Sequence, residues 1–225
     1  MVSRETPESG ALPAAPPVVA ERFPDAADSL TRFAGLLATD GVVRGLIGPR
    51  EVPRLWERHL LNCAVVEELF EPYSSVADVG SGAGLPGVVL AIVRPDLRIT
   101  LVEPMLRRCA FLDEAVAGLG LTNTEVVRAR AEDLPRGTRF DVVTSRAVAP
   151  LAKLAAWCAP LLALDGVMLA FKGSTAEEEL VQAAGALKRL GLDSGRIHRV
   201  GAELVDPPAT VVELRRTATD GRRKR

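Results

Sequence analysis

The residues best suited to chemistry fall in one run, Asp78-Val79-Gly80-Ser81-Gly82-Ala83-Gly84-Leu85-Pro86-Gly87. Its four glycines lie between an apolar stretch ending at Val79 and a helical pattern opening at Gly87. Glycines are needed where the backbone turns sharply or where a ligand must approach the main chain. The helix beyond offers unpaired N–H groups. The spacing is G-x-G-x-G, which is neither the G-x-G-x-x-G pyrophosphate fingerprint nor the G-x-x-x-x-G-K-[ST] phosphate loop. Glu103 closes the next apolar stretch, about two dozen residues past Gly80, where a carboxylate can accept both ribose hydroxyls of a nucleoside. Asp78 is placed to accept from the ammonium of an amino-acid ligand. Arg130-Ala131-Glu132-Asp133, after a third apolar stretch, is placed to hold an adenine edge. A nucleoside with an amino-acid tail and no pyrophosphate describes S-adenosyl-L-methionine better than NAD.

Arg146 and Lys172 each follow a later apolar stretch. Two cations converging on one crevice favour an anionic or carbonyl-rich substrate, such as nucleic-acid phosphate or a guanine edge; the alternative is ordinary surface charge. Enzymes that methylate exocyclic amines carry a [DN]-P-P-[YF] turn after the fourth strand. Here that turn reads Thr144-Ser145-Arg146-Ala147, and the Asp206-Pro207-Pro208-Ala209 run is expected to be a plain turn. Guanine N7 has a lone pair and no proton, so its methylation needs alignment and electrostatics but no general base. His59 and His198 are too isolated for a metal site. His59 is either a helix-surface or core histidine, or part of the substrate mouth.

The elements that must position these residues follow from periodicity. Short apolar runs at 76–79, 99–102, 125–127, 140–144 and 166–171 alternate with helical patterns at 87–93, 106–119, 151–162 and 176–190. This alternation predicts a doubly wound α/β fold with a mostly parallel sheet. Two final runs, 196–200 and 210–214, are joined by a short Pro-rich turn and must pair antiparallel. Ahead of the sheet, residues 29–37 and 52–70 show helical spacing, with Ser29 as a candidate N-cap. The second helix is expected to bury Leu55, Leu61, Val65, Val66 and Leu69. The expected plan is a disordered Pro/Ala-rich leader over 1–28, a helical cap over 29–72, a catalytic domain over 73–216 and a basic tail over 217–225.

Composition narrows the class. The 225 residues are 48% hydrophobic and 25% charged, an ordinary globular balance that excludes a mainly disordered chain. No apolar run reaches the ~20 residues of a spanning helix, so no membrane partner is expected. The net charge of −1 argues against a strongly basic nucleic-acid binder. That charge is uneven, however. Residues 215–225 hold six basic side chains and one acid, leaving 22 basic and 28 acidic residues elsewhere. The tail reads as a solvated terminus or as an arm touching phosphates. Cys63, Cys109 and Cys158 sit in helical patterns, form no C-x-x-C pair, and indicate a reducing compartment. With no signal-peptide pattern, a cytoplasmic location and a monomer are the expectations.

From Trp56 to Leu180 the chain resembles the bacterial small-subunit rRNA guanine-N7 methyltransferase G family, also called glucose-inhibited division protein B. The resemblance rests on Trp56-Glu57-Arg58-His59-Leu60-Leu61-Asn62, the Asp78–Gly87 loop with its Leu-Pro-Gly extension, and Ile92-Val93-Arg94-Pro95. It extends to Arg107-Arg108-Cys109-Ala110-Phe111-Leu112, Ser145-Arg146-Ala147 and Phe171-Lys172-Gly173. It implies a class I, S-adenosylmethionine-dependent, seven-stranded enzyme with a helical N-terminal extension, methylating N7 of one guanine in the decoding-region loop of 16S rRNA. The substrate would be naked rRNA, an assembly intermediate or the small ribosomal subunit. The resemblance further implies cofactor contacts at Gly80, Leu85, Ala131, Glu132 and Arg146, and places His59, Arg146 and Lys172 near the target guanine. The full candidate cofactor set adds Asp78, Gly82, Gly84 and Glu103. Competing readings are a class I methyltransferase for a small molecule or protein, a silent RNA-binding assembly factor, and, more distantly, an NAD-dependent oxidoreductase.

Overall fold

The strands β1 (Ser75–Val79), β2 (Arg98–Val102), β3 (Thr124–Val127), β4 (Phe140–Arg146), β5 (Leu162–Lys172), β6 (Arg196–Val200) and β7 (Ala209–Arg215) form one sheet in the order β3-β2-β1-β4-β5-β7-β6. The computed structural model describes residues 11–146 and 149–217. The first five strands pair in parallel, and β7 runs antiparallel between β5 and β6. Central strands with apolar side chains on both faces suit a sheet covered on both sides. Alternation along each strand divides them. Val76, Ile99, Leu101, Val142, Leu169 and Phe171 face the N-terminal helices, α4 (Gly87–Val93) and α5 (Leu106–Leu119). Ala77, Val79, Val143, Met168 and Ala170 face α6 (Leu151–Cys158) and α7 (Ala176–Arg189). The helix after β1 covers one face and the helix after β4 the other, so a crevice opens between their carboxyl ends. In doubly wound sheets this switch point is where ligands bind.

The N-terminal region departs from expectation in three ways. Residues 11–28 are not a structureless leader. The helices α1 (Pro17–Arg22) and α2 (Ala27–Leu36) are joined by a tight turn at Pro24–Ala26, and Val19, Phe23 and Ala26 are buried. Trp56 donates its indole N–H to Pro13 O at 3.0 Å, and Arg22 pairs with Glu67 at 2.9 Å. The prolines set the turns, and the few apolar residues between them reach the common core. The first ten residues lie outside the described set, as does the basic tail from 218 on. Second, Ser29 is not a cap. The turn at Pro24–Ala26 runs directly into α2, which opens at Ala27 with no side-chain cap. Third, the continuous helix expected over 52–70 is a succession of tight, wide and ordinary turns: Pro49–Arg54, Leu55–Leu61, α3 (Asn62–Ala64) and Val65–Leu69. Pro53 removes a donor inside the first of these. The wide turns of Leu55–Leu61 bury Leu55, Trp56, Leu60 and Leu61 while leaving main-chain oxygens of Arg58 and His59 for Arg146. Leu69, expected in the core, is only partly buried.

The helical region and the sheet share a single apolar core, in which Phe33, Leu55 and Trp56 belong with Leu90, Leu101 and Phe171. Arg94 ties the two parts together. Its guanidinium donates to the carbonyls of Glu67 and Phe70 at 2.9 Å and to both oxygens of Asp96 at 2.8 Å. This bidentate arginine holds the Asp96 carboxyl down at about 2. Elsewhere, α6 ends at Cys158 rather than Leu162 because Pro160 stops it, and β5 then starts at Leu162. The Asp206-Pro207-Pro208 run lies in the turn between β6 and β7. Among the described residues no helix is long and apolar enough to cross a membrane.

Phe23→Ala is expected to cost about 3 kcal/mol in a urea titration, the usual penalty for emptying a buried aromatic site. An unchanged midpoint would return this segment to the solvent.

Candidate active site

β1 ends on Asp78 and Val79, and the glycine loop turns the chain back beneath α4. Gly80, Gly82 and Gly84 have φ of 75°, 57° and 86°. Gly80 N donates to Val102 O at 2.8 Å and Gly84 N to Ser81 O at 2.7 Å, so the loop is tied to β2 and to itself. A Cβ at Gly82 would meet only Gly80 O, at 3.7 Å, so the main chain here faces open space. Gly87 is demanded from below: a Cβ there would lie 2.3 Å from Leu101 Cδ2 and 2.6 Å from Asp78 Oδ2.

Asp78 has 0% exposure, and its Oδ2 accepts the Gly87 N–H at 3.0 Å. Its Oδ1 has no hydrogen-bond partner. Burial pushes the carboxyl up to about 7; the Gly87 N–H and Ser81 hydroxyl oppose that rise, nearby Glu103 adds to it, and Arg146 opposes it. Asp78 was expected to present itself to a ligand ammonium. It lies instead under the loop, because the side chain that closes the β1–α4 turn must point inward. The orphaned Oδ1 is nevertheless an acceptor that a cationic ligand would satisfy.

Glu103 directly follows β2 and has 1% exposure. Its Oε2 accepts Gly82 N and its Oε1 accepts Met105 N, both at 3.0 Å, and Arg108 stands 3.6 Å from Oε2. Each oxygen keeps a second lone pair. Glu103 lines a cavity of about 240 Å³ together with Gly80, Met105, Ala131, Glu132 and Trp157. The cavity opens at the carboxyl ends of β1, β2 and β3, as the spacing of the loop, Glu103 and the 130–133 run implied. The cavity, with the open face of Gly82 and the orphaned Asp78 oxygen in the adjoining β1–α4 turn, fits a nucleoside with a cationic tail. Nothing in the sequence around Trp157 marks it as a site residue. It sits in the apolar pattern of α6, and only the packing of α6 beside β4 brings its part-exposed ring to the cavity wall. Leu85 is half-buried and Gly84 buried; neither lines this cavity, and nor do Asp78, Gly82 or Arg146.

Arg146 and Lys172 do not converge. They end adjacent strands, but Arg146 is registered with Phe171, so Lys172 alternates to the opposite face. Arg146 turns to the helical cap, donating from Nη2 to Arg58 O and His59 Nδ1 at 2.9 Å each, and from Nη1 towards Cys63 Sγ at 3.1 Å. Lys172 has 8% of its side chain exposed and is held by Glu179 Oε2 and Ala149 O, each at 2.8 Å. Glu179 Oε2 also accepts Leu151 N at 2.8 Å, so this ion pair fastens α6 to α7. The alternation that separates the two cations was available in the sequence; the partners that occupy them were not. His59 joins the Arg146 side, with Nε2 2.9 Å from Glu51 Oε2. His198 lies far off, on β6, paired with Glu213 at 2.8 Å.

Asp78→Asn keeps an acceptor for Gly87 but removes the buried charge. Because the folded carboxyl titrates near 7 and the unfolded one near 4, Asp78 favours unfolding increasingly as pH rises through this window. The variant is therefore expected to raise Tm at pH 8 by a few degrees, roughly 1 kcal/mol. In calorimetry it should bind S-adenosylmethionine about tenfold more weakly and lose the wild type's gain in affinity between pH 6 and 8. A pH-independent affinity in the wild type would remove Asp78 from the ligand's surroundings.

Comparison with known proteins bears on the family and the fold. The family model described as rRNA small subunit methyltransferase G matches residues 26–205. A protein of Salinispora tropica named ribosomal RNA small subunit methyltransferase G is 53% identical over 92% of this chain and 90% of its own length. One of the same name from Streptomyces avermitilis is 56% identical over 92% and 87%. Among solved structures, a mitomycin 7-O-methyltransferase superposes with a TM-score of 0.59 at 20% identity, covering 89% of this chain and 66% of that one. A SAM-dependent methyltransferase from Aquifex aeolicus gives 0.55 at 18%, covering 76% and 100%. These two share the class I methyltransferase fold found here. By sequence similarity along most of its length, this chain belongs to the rRNA small subunit methyltransferase G family.

Proposed function

We propose that this protein transfers the methyl group of S-adenosyl-L-methionine to N7 of a guanine in the decoding-region loop of 16S rRNA. The observation that carries this reading is the strand-end cavity, in which the glycine loop, Glu103 and Ala131-Glu132 meet in a chain of this family. When bound there, the cofactor supplies an electrophilic methyl on a sulfonium. The residues that would hold it are Glu103 at the ribose hydroxyls, Gly80 and Gly82 where the main chain is approached, Ala131 and Glu132 at the adenine, and Asp78 beneath the cationic tail. Gly84 and Leu85 shape the loop, and Trp157 walls the cavity.

Nothing in this chemistry requires a proton to be removed, because N7 offers a lone pair. The cap-side groups agree with that. Arg146 can only donate, and His59 has its Nδ1 engaged by Arg146 and its Nε2 by Glu51. Catalysis then rests on alignment of the guanine with the methyl group. Arg146 ends β4 beside the loop with its Nη donors taken by the cap; its Nε–H is the donor these contacts leave for the guanine edge, where O6 is the acceptor. His59 supports it. Lys172, on the opposite face and bound to Glu179, holds α6 and α7 in place.

The test is to map N7-methylguanine in 16S rRNA from a strain lacking this gene, by aniline cleavage and primer extension. One stop should disappear on deletion, return with the wild type, and stay absent with Gly82→Val. That substitution puts a branched side chain at a positive-φ position whose main chain faces open space beside the cavity. Methyl transfer only to a metabolite or a protein would overturn the proposal, as would cofactor binding without turnover on ribosomal RNA.

A further inference from the structure

Arg146 is the only described residue of the sheet whose charged end is gripped by the turns of Leu55–Leu61. Nη2 donates to Arg58 O and His59 Nδ1 at 2.9 Å, and Nη1 to Cys63 Sγ at 3.1 Å and His59 O at 3.4 Å. A guanidinium has no lone pair to offer, so His59 Nδ1 must be the acceptor and the ring proton must sit on Nε2. That proton faces Glu51 Oε2 at 2.9 Å, and Glu51 comes from the separate turn Pro49–Arg54. A carboxylate accepts only. The order Glu51, His59, Arg146 therefore admits one arrangement of protons.

We propose that Glu51 is a positioning residue for Arg146: it holds the His59 ring in the Nε2–H tautomer, with Nδ1 turned to the guanidinium. The proposal rests on the reading of Arg146 as a working group of the methyl-transfer site. It gives a role to a glutamate that touches neither the cavity nor the loop. Without the carboxylate the ring is free to flip or to change tautomer, and an N–H turned to Arg146 would meet a donor with a donor.

The charged groups facing His59 are Glu51 and Arg58 from the cap and Arg146 from β4. Burial holds the imidazole below its ordinary range; the Glu51 hydrogen bond opposes that, and Arg146 and Arg58 add to it. The neutral ring is thus the form the fold favours. The arrangement is complete above the usual imidazole range and fails as pH falls below it, when a proton on Nδ1 would set two cations against each other.

The chain has two histidines, so ¹⁵N imidazole spectra are assigned with one variant, His198→Asn. The wild type should show His59 as the Nε2–H tautomer. Glu51→Ala should mix the tautomers and lower the ring's pKa, while Glu51→Gln, whose amide oxygen still accepts, should keep the tautomer. Methyl transfer to small-subunit rRNA should fall about tenfold in kcat for Glu51→Ala, with KM for S-adenosylmethionine unchanged, and recover to within about threefold in Glu51→Gln. An unchanged tautomer in Glu51→Ala, or a changed tautomer with full activity, overturns the proposal. If Glu51→Ala does not fold, the wild type decides: the Arg146 guanidinium signals should shift with the same pH midpoint as the His59 ring, and independent titration is the negative result. Full activity in Arg146→Ala would instead sink the reading of Arg146, leaving the tautomer test to judge the Glu51–His59 link by itself.

Discussion

The bond from Gly87 N–H to the buried carboxylate of Asp78 is the constraint from which the site follows. It closes the β1–α4 turn around a group that is expensive to bury, and the cost shows in a carboxyl pushed up to about 7. With Asp78 and Leu101 beneath it, Gly87 has no room for a side chain. The loop must then rise over the carboxylate, and three positive-φ glycines carry it there, presenting bare main chain to the crevice. Glu103 fastens the top of that rise through Gly82 N. Two acids at neighbouring strands therefore shape one site: Asp78 sets the loop from beneath, and Glu103 lines the cavity.

The second organising contact joins the sheet to the N-terminal helices. In doubly wound sheets a crevice follows from topology, but its walls are local additions. Here the face bearing Arg146 is covered by turns of mixed pitch, and wide turns of that kind recur at functional sites. Their carbonyls, together with His59 and Cys63, hold the arginine. Arg94 makes a parallel tie further down, to Glu67, Phe70 and Asp96. The helical region accordingly shares the core of the sheet and holds Arg146. The opposite face uses its own cation, Lys172, to lock α6 to α7.

Bulk charge turned out to be a poor guide. A near-neutral chain is compatible with an RNA substrate when the groups that matter sit at one crevice. Much of the remaining charge is consumed internally, as in Arg94–Asp96 and Arg44–Glu114. Each such pair adds to the formal count and nothing to the field felt by a phosphate a Debye length away.

What was legible in the residues themselves was local or periodic. The strand–helix alternation, the antiparallel ending, the glycine loop, Glu103 and the 130–133 run could be read because each depends on neighbouring residues or on a fixed period. The leader, the broken pitch of 49–69, the inward turn of Asp78, Trp157 and the partners of Arg146 and Lys172 could not. Phe23 is buried because distant elements cover it, and Glu51 meets His59 because two separate turns pack together. Backbone propensity and hydrophobic period act over a few residues, so the sequence alone determined the architecture and the place of the crevice. Which side chains are buried, paired or left open depends on contacts between residues far apart in the chain, and only the tertiary structure decided those.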